Sequence, residues 1–267
     1  MEISFKNISI NLPDSLDKMS SYIDKPFIIF EKNNFLDQET YQNLVNEVHS
    51  INDFEFKFND RGDKLRTSIG GHNVDKINKK TLKNFCQVLL QKDFFNWFKK
   101  THLSFFRSKP IKIYLTNANL LIIKIIGKIN KKLNLPFSFY YTEIEYSLIL
   151  KDGYIPPHTD APNKRLSFVY YIPSNEIALT NQMKENLGTV FWEPKDQKSE
   201  KFKLFHSKLL TGENKESFYE NHKINFIAKY EANKIAGFIK SDISWHTVEK
   251  NEFDYPRRAI VINIYEL

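Results

Sequence analysis

Beyond Pro136 the sequence is a succession of short runs rich in aromatic and β-branched residues, each closed by a turn signal. No other feature narrows the fold as much. Such side chains suit a half-buried pleated surface, and short strands at regular spacing specify a sandwich or barrel. Residues 137–150 alternate in this way, and Asp152-Gly153 follows as a hairpin turn, with 154–160 as the predicted return strand. Further strands are expected at 166–172, stopped by Pro173, at 187–192 and at 258–265. Segments 225–230 and 234–239 read as a second hairpin around Ala232-Asn233. Upstream the period changes. After a short strand at 27–30, Asp37 is a helix N-cap with Glu39 in the first turn. Tyr41, Leu44, Val45, Val48 and Ile51 then recur at helical spacing. More helix is expected within 74–107 and 117–133, ending before Pro136. The fold class is α+β. At 267 residues it is one domain, with a helical part, 1–135, in front of a strand-rich part, 136–267.

Composition removes several classes. Net charge is +7, but the lysines are spread along the chain, which argues against a nucleic-acid footprint. Cys86 is the single cysteine, so no internal disulfide can form and a reducing, cytoplasmic setting is expected. Phe85 and Leu89 beside it predict a buried thiol. The first residues lack a secretory pattern, and the apolar run at 120–129 is interrupted by Lys124 and Lys128, so a bilayer span is excluded. The lysine-rich stretch 193–223 reads as an insertion or lid, with His206 and His222 as exposed residues. His72 is placed in a loop beside Gly71, and His49 on a helix flank, neither with an assigned role.

The chemistry centres on His158-Thr159-Asp160. In an extended strand His158 and Asp160 share a face, one imidazole and one carboxylate. A His-x-Asp triplet alone is weak evidence. Here a second histidine, His246, follows downstream in Trp245-His246-Thr247, ahead of the last strand, which opens with Arg257-Arg258. Two imidazoles and one carboxylate on one side of a metal leave the other side open, the arrangement suited to non-haem Fe(II) rather than structural zinc. An arginine beyond the distal histidine can grip the second carboxylate of an organic acid chelating that iron. By alternation Arg257, Ala259, Val261 and Asn263 share one face, while Arg258, Ile260, Ile262 and Ile264 share the face toward a helical layer. Arg257 is therefore the favoured anchor and Arg258 the alternative.

Residues 138–267 resemble the Fe(II)- and 2-oxoglutarate-dependent dioxygenases, including the small soluble, prolyl-hydroxylase-like members. The resemblance rests on Tyr154-Ile155-Pro156-Pro157-His158-Thr159-Asp160, Leu187-Gly188-Thr189, Ser244-Trp245-His246 and Pro256-Arg257-Arg258. It implies a double-stranded β-helix, or jelly roll, with N-terminal helices packed on one sheet. It implies iron on His158, Asp160 and His246, with 2-oxoglutarate and O2 as co-substrates, and hydroxylation with release of succinate and CO2. Asp160 stands where halogenating relatives have a small residue, so halogenation is not expected. The second arginine of nucleic-acid-demethylating relatives is missing, since Asn263 follows Arg257 at that offset. Two positions depart from the family pattern. Ala259 replaces the serine of Arg-x-Ser, and Leu150 replaces a tyrosine donor, whose place Tyr146 or Tyr140 would have to take. The substrate class implied is a small molecule or amino-acid-like compound, without membrane or nucleic-acid partners. A protein side-chain hydroxylase and a cupin-type metal site without 2-oxoglutarate are the alternatives.

Overall fold

The computed structural model describes residues 2–51, 59–60, 65–69, 74–101, 111–115, 120–196 and 213–267. His72 and His206 lie outside them. The chain opens with the hairpin β1 (Glu2–Phe5) and β2 (Ile8–Asn11), then passes through β3 (Ser21–Ile23) and β4 (Ile29–Lys32) into α1 (Gln38–His49). Next come β5 (Asn59–Asp60), β6 (Leu65–Ile69), α2 (Lys80–Leu89), α3 (Lys92–Thr101), β7 (Ile111–Tyr114) and α4 (Leu120–Leu133). The strand-rich half holds β8 (Phe137–Ile149), β9 (Ile155–His158), β10 (Lys164–Tyr171), α5 (Asn181–Asn186) and β11 (Thr189–Pro194). It continues with α6 (Glu213–Asn221), β12 (His222–Ala228), β13 (Ile235–Ile239), β14 (His246–Val248) and β15 (Arg257–Glu266).

Two sheets result. The larger, nine-stranded sheet runs β3-β4-β13-β10-β15-β8-β6-β5, with β7 added in parallel to β8. The smaller runs β12-β11-β14-β9. Along β15 the two faces separate as alternation requires. Ile260, Ile262 and Ile264 join a core with Leu44, Val48, Phe85, Phe94 and Trp97 of α1–α3. The opposite face looks across to the small sheet, where Ala259, Tyr171, Phe191 and Phe238 form a second core. A third cluster, Trp192, Phe218 and Trp245, packs α6 against the outer side of the small sheet.

Local chemistry explains the element boundaries. Asp37 caps α1 by accepting from the Thr40 amide at 2.8 Å, and Tyr41, Leu44, Val45 and Val48 are its buried face. Asn233, at φ 54°, turns the chain between β12 and β13. Its side chain accepts from the Leu36 amide at 2.9 Å and donates to the Leu36 carbonyl at 2.7 Å, fastening the entrance of α1 to the strand half.

Both expected hairpins are corrected. The turn at 150–153 exists, closed by Gly153 N–H to Leu150 at 3.0 Å with Asp152 at φ 67°. Yet β8 pairs with β15, whereas β9 pairs with β14 in the other sheet. Likewise β12 pairs with β11, and β13 with β10 and β4. A turn signal marks where the chain reverses, not which sheet receives it. Both turns carry the chain across the sandwich. The predicted 193–223 insertion begins at the end of the β11–β12 pair, where Pro194 opposes His222 and the Lys195 amide donates to Asn221 at 2.9 Å. His222 is not exposed as expected. It is buried and stacks on Phe218 with ring centroids 4.0 Å apart, because α6 folds back over it. Cys86 is fully buried, as its neighbours predict. Among the described residues no helix is long and apolar enough to cross a membrane.

Candidate metal centre

β9 and β14 are neighbours in the small sheet, and their register sets His158 directly opposite His246. Their ring centroids are 4.1 Å apart. Asp160 arrives by a different route from the one alternation predicts. β9 ends at His158, and Asp160 adopts φ 69°, a left-handed conformation that a non-glycine residue takes only when its surroundings enforce it. That twist turns the carboxylate toward both imidazoles. Oδ1 lies 3.7 Å from His158 Nε2, and Oδ2 lies 3.9 Å from His246 Nε2. One ligand atom from each of the three falls within 4.8 Å of the others.

The tautomers suit a metal. His158 Nδ1 is 2.9 Å from the Pro156 carbonyl, and His246 Nδ1 is 3.0 Å from the Ser244 carbonyl. A carbonyl can only accept, so each Nδ1 carries the proton and each Nε2 presents its lone pair toward Asp160. Burial, with His158 alongside, pulls the His246 imidazole down to about 3, which keeps it neutral. Asp160 accepts from Lys164 Nζ at 2.7 Å and from Ser167 Oγ at 2.9 Å. Burial alone would raise the Asp160 carboxyl. Lys164 and the two imidazoles outweigh it and hold the group well below the usual carboxylate range.

The three residues line a cavity of about 550 Å³ between the sheets. Its large-sheet wall includes Glu143, Glu145, Ser147, Val261 and Asn263, and Arg257 reaches it from the start of β15. Arg257 is 2% exposed. Its Nε donates to the Leu187 carbonyl at 2.7 Å, one terminal nitrogen is 3.4 Å from Thr189 Oγ1, and the guanidinium lies over the Tyr171 ring at 5.5 Å. Among the described residues no carboxylate pairs with it. Arg258 points the other way, where its guanidinium donates to the Tyr146 hydroxyl. Tyr146 belongs to the helix-side core, and Tyr140 there donates to Glu266 at 2.9 Å. The structure therefore brings His158, Asp160, His246 and Arg257 to one cavity, and sets Arg258, Tyr146 and Tyr140 apart from it. At the rim, Lys215 of α6 lies 4.4 Å from the ring centre of Tyr154, a lining residue.

Lys164, Ser167 and Ser147 carry no signal in the sequence, and Thr189 does so only within Leu187-Gly188-Thr189, without a role. Lys164 is four residues from Asp160 but no helix relates them. The other three become neighbours of the site only once strand register is known.

Neither a family model nor a curated protein matches the chain. Solved structures do. A prolyl 4-hydroxylase from Phytophthora capsici aligns at TM-score 0.52 and 10% identity, over 89% of this chain and 58% of that one. A Pseudomonas putida prolyl-4-hydroxylase aligns at 0.46 and 12% identity, over 90% and 93% of the two chains. A 2OG-Fe(II) oxygenase-family protein from Burkholderia pseudomallei aligns at 0.45 and 10%, over 89% and 84%. The chain thus shares its fold with the Phytophthora capsici prolyl 4-hydroxylase, and its His-Asp-His cluster could hold a metal ion.

Proposed function

We propose that this chain is an Fe(II)- and 2-oxoglutarate-dependent oxygenase that hydroxylates a small-molecule or amino-acid-like substrate, releasing succinate and CO2. The two facing sheets are read as a double-stranded β-helix, with 1–135 as its buttress and 193–223 as an insertion or lid. The single buried cysteine agrees with a cytoplasmic setting.

Arg257 carries this reading. A buried guanidinium without a carboxylate partner is costly unless an anion completes it. This one lines the same cavity as the triad, so the anion belongs in that cavity. A cupin-type site acting without a keto acid gives Arg257 nothing to bind. The cavity volume lies in the range of small-molecule sites.

His158, Asp160 and His246 would hold the iron, and Arg257 the distal carboxylate of the keto acid. Iron with 2-oxoglutarate and O2 supplies the oxidising chemistry. The chain supplies the rest. The carbonyls of Pro156 and Ser244 fix the imidazoles, and Lys164 and Ser167 hold Asp160 ionised and oriented. Phe238, centred 4.5 Å from the His246 ring, walls that side against water. The test is succinate formation from 2-oxoglutarate with a metabolite panel, requiring both Fe(II) and a product of increased mass. Arg257→Ala should raise the 2-oxoglutarate requirement at least tenfold, by analogy with losing one buried charged partner, while iron stays bound. Turnover that ignores 2-oxoglutarate would contradict the proposal.

A further inference from the structure

The helix α4 reads LLIIKIIGKINKKL and contains no acidic residue. A narrow line along one side attaches it to the fold. Ile123 is buried there, and Gly127 comes so near Leu267 that a β-carbon would stand 3.3 Å from its Cβ. Buried Asn130 donates to the Phe137 carbonyl at 2.9 Å. These positions recur at i, i+4 and i+7, the spacing of one helical face. A second apolar line, Ile122, Ile125, Ile129 and Leu133, recurs at i, i+3, i+7 and i+11. At 3.6 residues per turn it lies about a third of a turn round from the first and runs for about 16 Å. It faces solvent, with its four side chains between 48% and 60% exposed. Single exposed apolar residues are ordinary, but an aligned row of them marks an interaction surface.

Next to this row the helix surface is basic. Lys128, Lys131 and Lys132 are exposed, and among the described residues no carboxylate pairs with them. An apolar stripe edged by unpaired lysines complements an anionic phospholipid surface. The isoleucines enter the boundary between headgroups and acyl chains, the lysine stems lie along it, and the ammonium groups reach the phosphates. A second copy of the chain fits worse, because two such faces bring lysine rows together with no carboxylate on either helix to offset them. We propose that α4 is a membrane-surface helix that docks the protein on an anionic phospholipid bilayer through Ile122, Ile125, Ile129 and Leu133, with Lys128, Lys131 and Lys132 at the phosphates. This departs from the sequence expectation of no membrane partner. The charges that exclude a bilayer span at 120–129 are ones that a helix lying on the surface uses. Docking through α4 is independent of the metal centre and of the oxygenase reading.

The experiment is co-sedimentation of the whole 267-residue chain with phospholipid vesicles. One set is phosphatidylcholine with about one-third phosphatidylserine, and the other is phosphatidylcholine alone. The protein should sediment with the anionic vesicles, stay in solution with the neutral ones, and be released as salt is raised. Ile125→Gln combined with Ile129→Gln should weaken binding roughly thirtyfold, from the lost burial of two half-exposed side chains. Lys128→Gln, Lys131→Gln and Lys132→Gln should each weaken it about fivefold. All five positions are exposed, so melting temperature should match the wild type. Wild-type protein that binds neither vesicle, or both equally, overturns the proposal. So does unchanged binding in the isoleucine or the lysine variants. An isoleucine variant that fails to fold overturns it as well, since the stripe would then be structural. A wild-type dimer in analytical ultracentrifugation that the isoleucine variant converts to monomer also overturns it, because the stripe would then join two copies of the chain.

Discussion

His158, Asp160 and His246 depend on different supports, and substitution should separate them. His158→Ala and His246→Ala each remove one lone pair from a three-donor set, so Fe(II) binding measured by equilibrium dialysis should be lost while the fold persists. Lys164→Met should behave otherwise. It strips a 2.7 Å ammonium partner from a buried carboxylate, and breaking such a pair costs about 3–5 kcal/mol. A bound cation replaces the missing charge, so thermal melting should drop in the metal-free protein and recover substantially when Fe(II) is added. Equal destabilisation with and without metal would contradict this. The three members of the cluster were legible in the sequence because their residue types and order are distinctive. The way Asp160 reaches the site was not. Alternation along a strand predicts the same face for His158 and Asp160, but the strand stops at His158 and a left-handed residue completes the approach.

Elements were legible where their determinants are local. α1 follows from one capping aspartate and a helical repeat of apolar residues, all close in sequence. The hairpins were misassigned because pairing partners are chosen by packing between distant segments. β13 shows how tight that packing is. Gly237 lies between Phe168 of β10 and Phe30 of β4, and a β-carbon there would stand 2.6 Å from both rings. Those rings meet edge to face at 5.5 Å across the position. Gly237→Ala should therefore destabilise the protein by about 1–3 kcal/mol through overpacking, read as a lower denaturant midpoint. α6 supplies a pH-dependent element. Burial, with Lys195 adding to it, lowers the His222 imidazole below its ordinary 6.5. The unfolded chain then takes up the proton first as pH falls. The stabilisation is present above about pH 6.5 and is lost progressively below it. His49, depressed by burial, acts in the same direction. Melting temperature should fall between pH 7.5 and pH 5.5, and His222→Phe, which keeps a ring against Phe218, should make that fall shallower. An unchanged slope would remove His222 from the account.

Across the whole molecule, the α+β class was readable from hydrophobic period and turn signals, but not most strands of the first half, where β1–β7 lie and five of them extend the large sheet. A sandwich or barrel was expected, but not which strands fall in which sheet, because two of the connections look like hairpins and act as crossings. Those crossings matter for function. They set β9 and β14 side by side in the small sheet while β8 and β15 form the facing wall, so ligands from one sheet and Arg257 from the other meet in one cavity. Separation of the two arginines follows from the same architecture, with Arg257 turned inward and Arg258 toward Tyr146. Arg258→Ala should accordingly lower stability with little effect on keto-acid affinity, the reverse of Arg257→Ala, as melting and calorimetry together would record. The most direct test of the central claim is the visible spectrum of anaerobic, Fe(II)-loaded protein titrated with 2-oxoglutarate. A weak absorption band should grow to saturation, require His158 and Asp160, and shift to much higher ligand concentration in Arg257→Ala. A folded, iron-loaded protein that gives no band at any 2-oxoglutarate concentration would contradict the account.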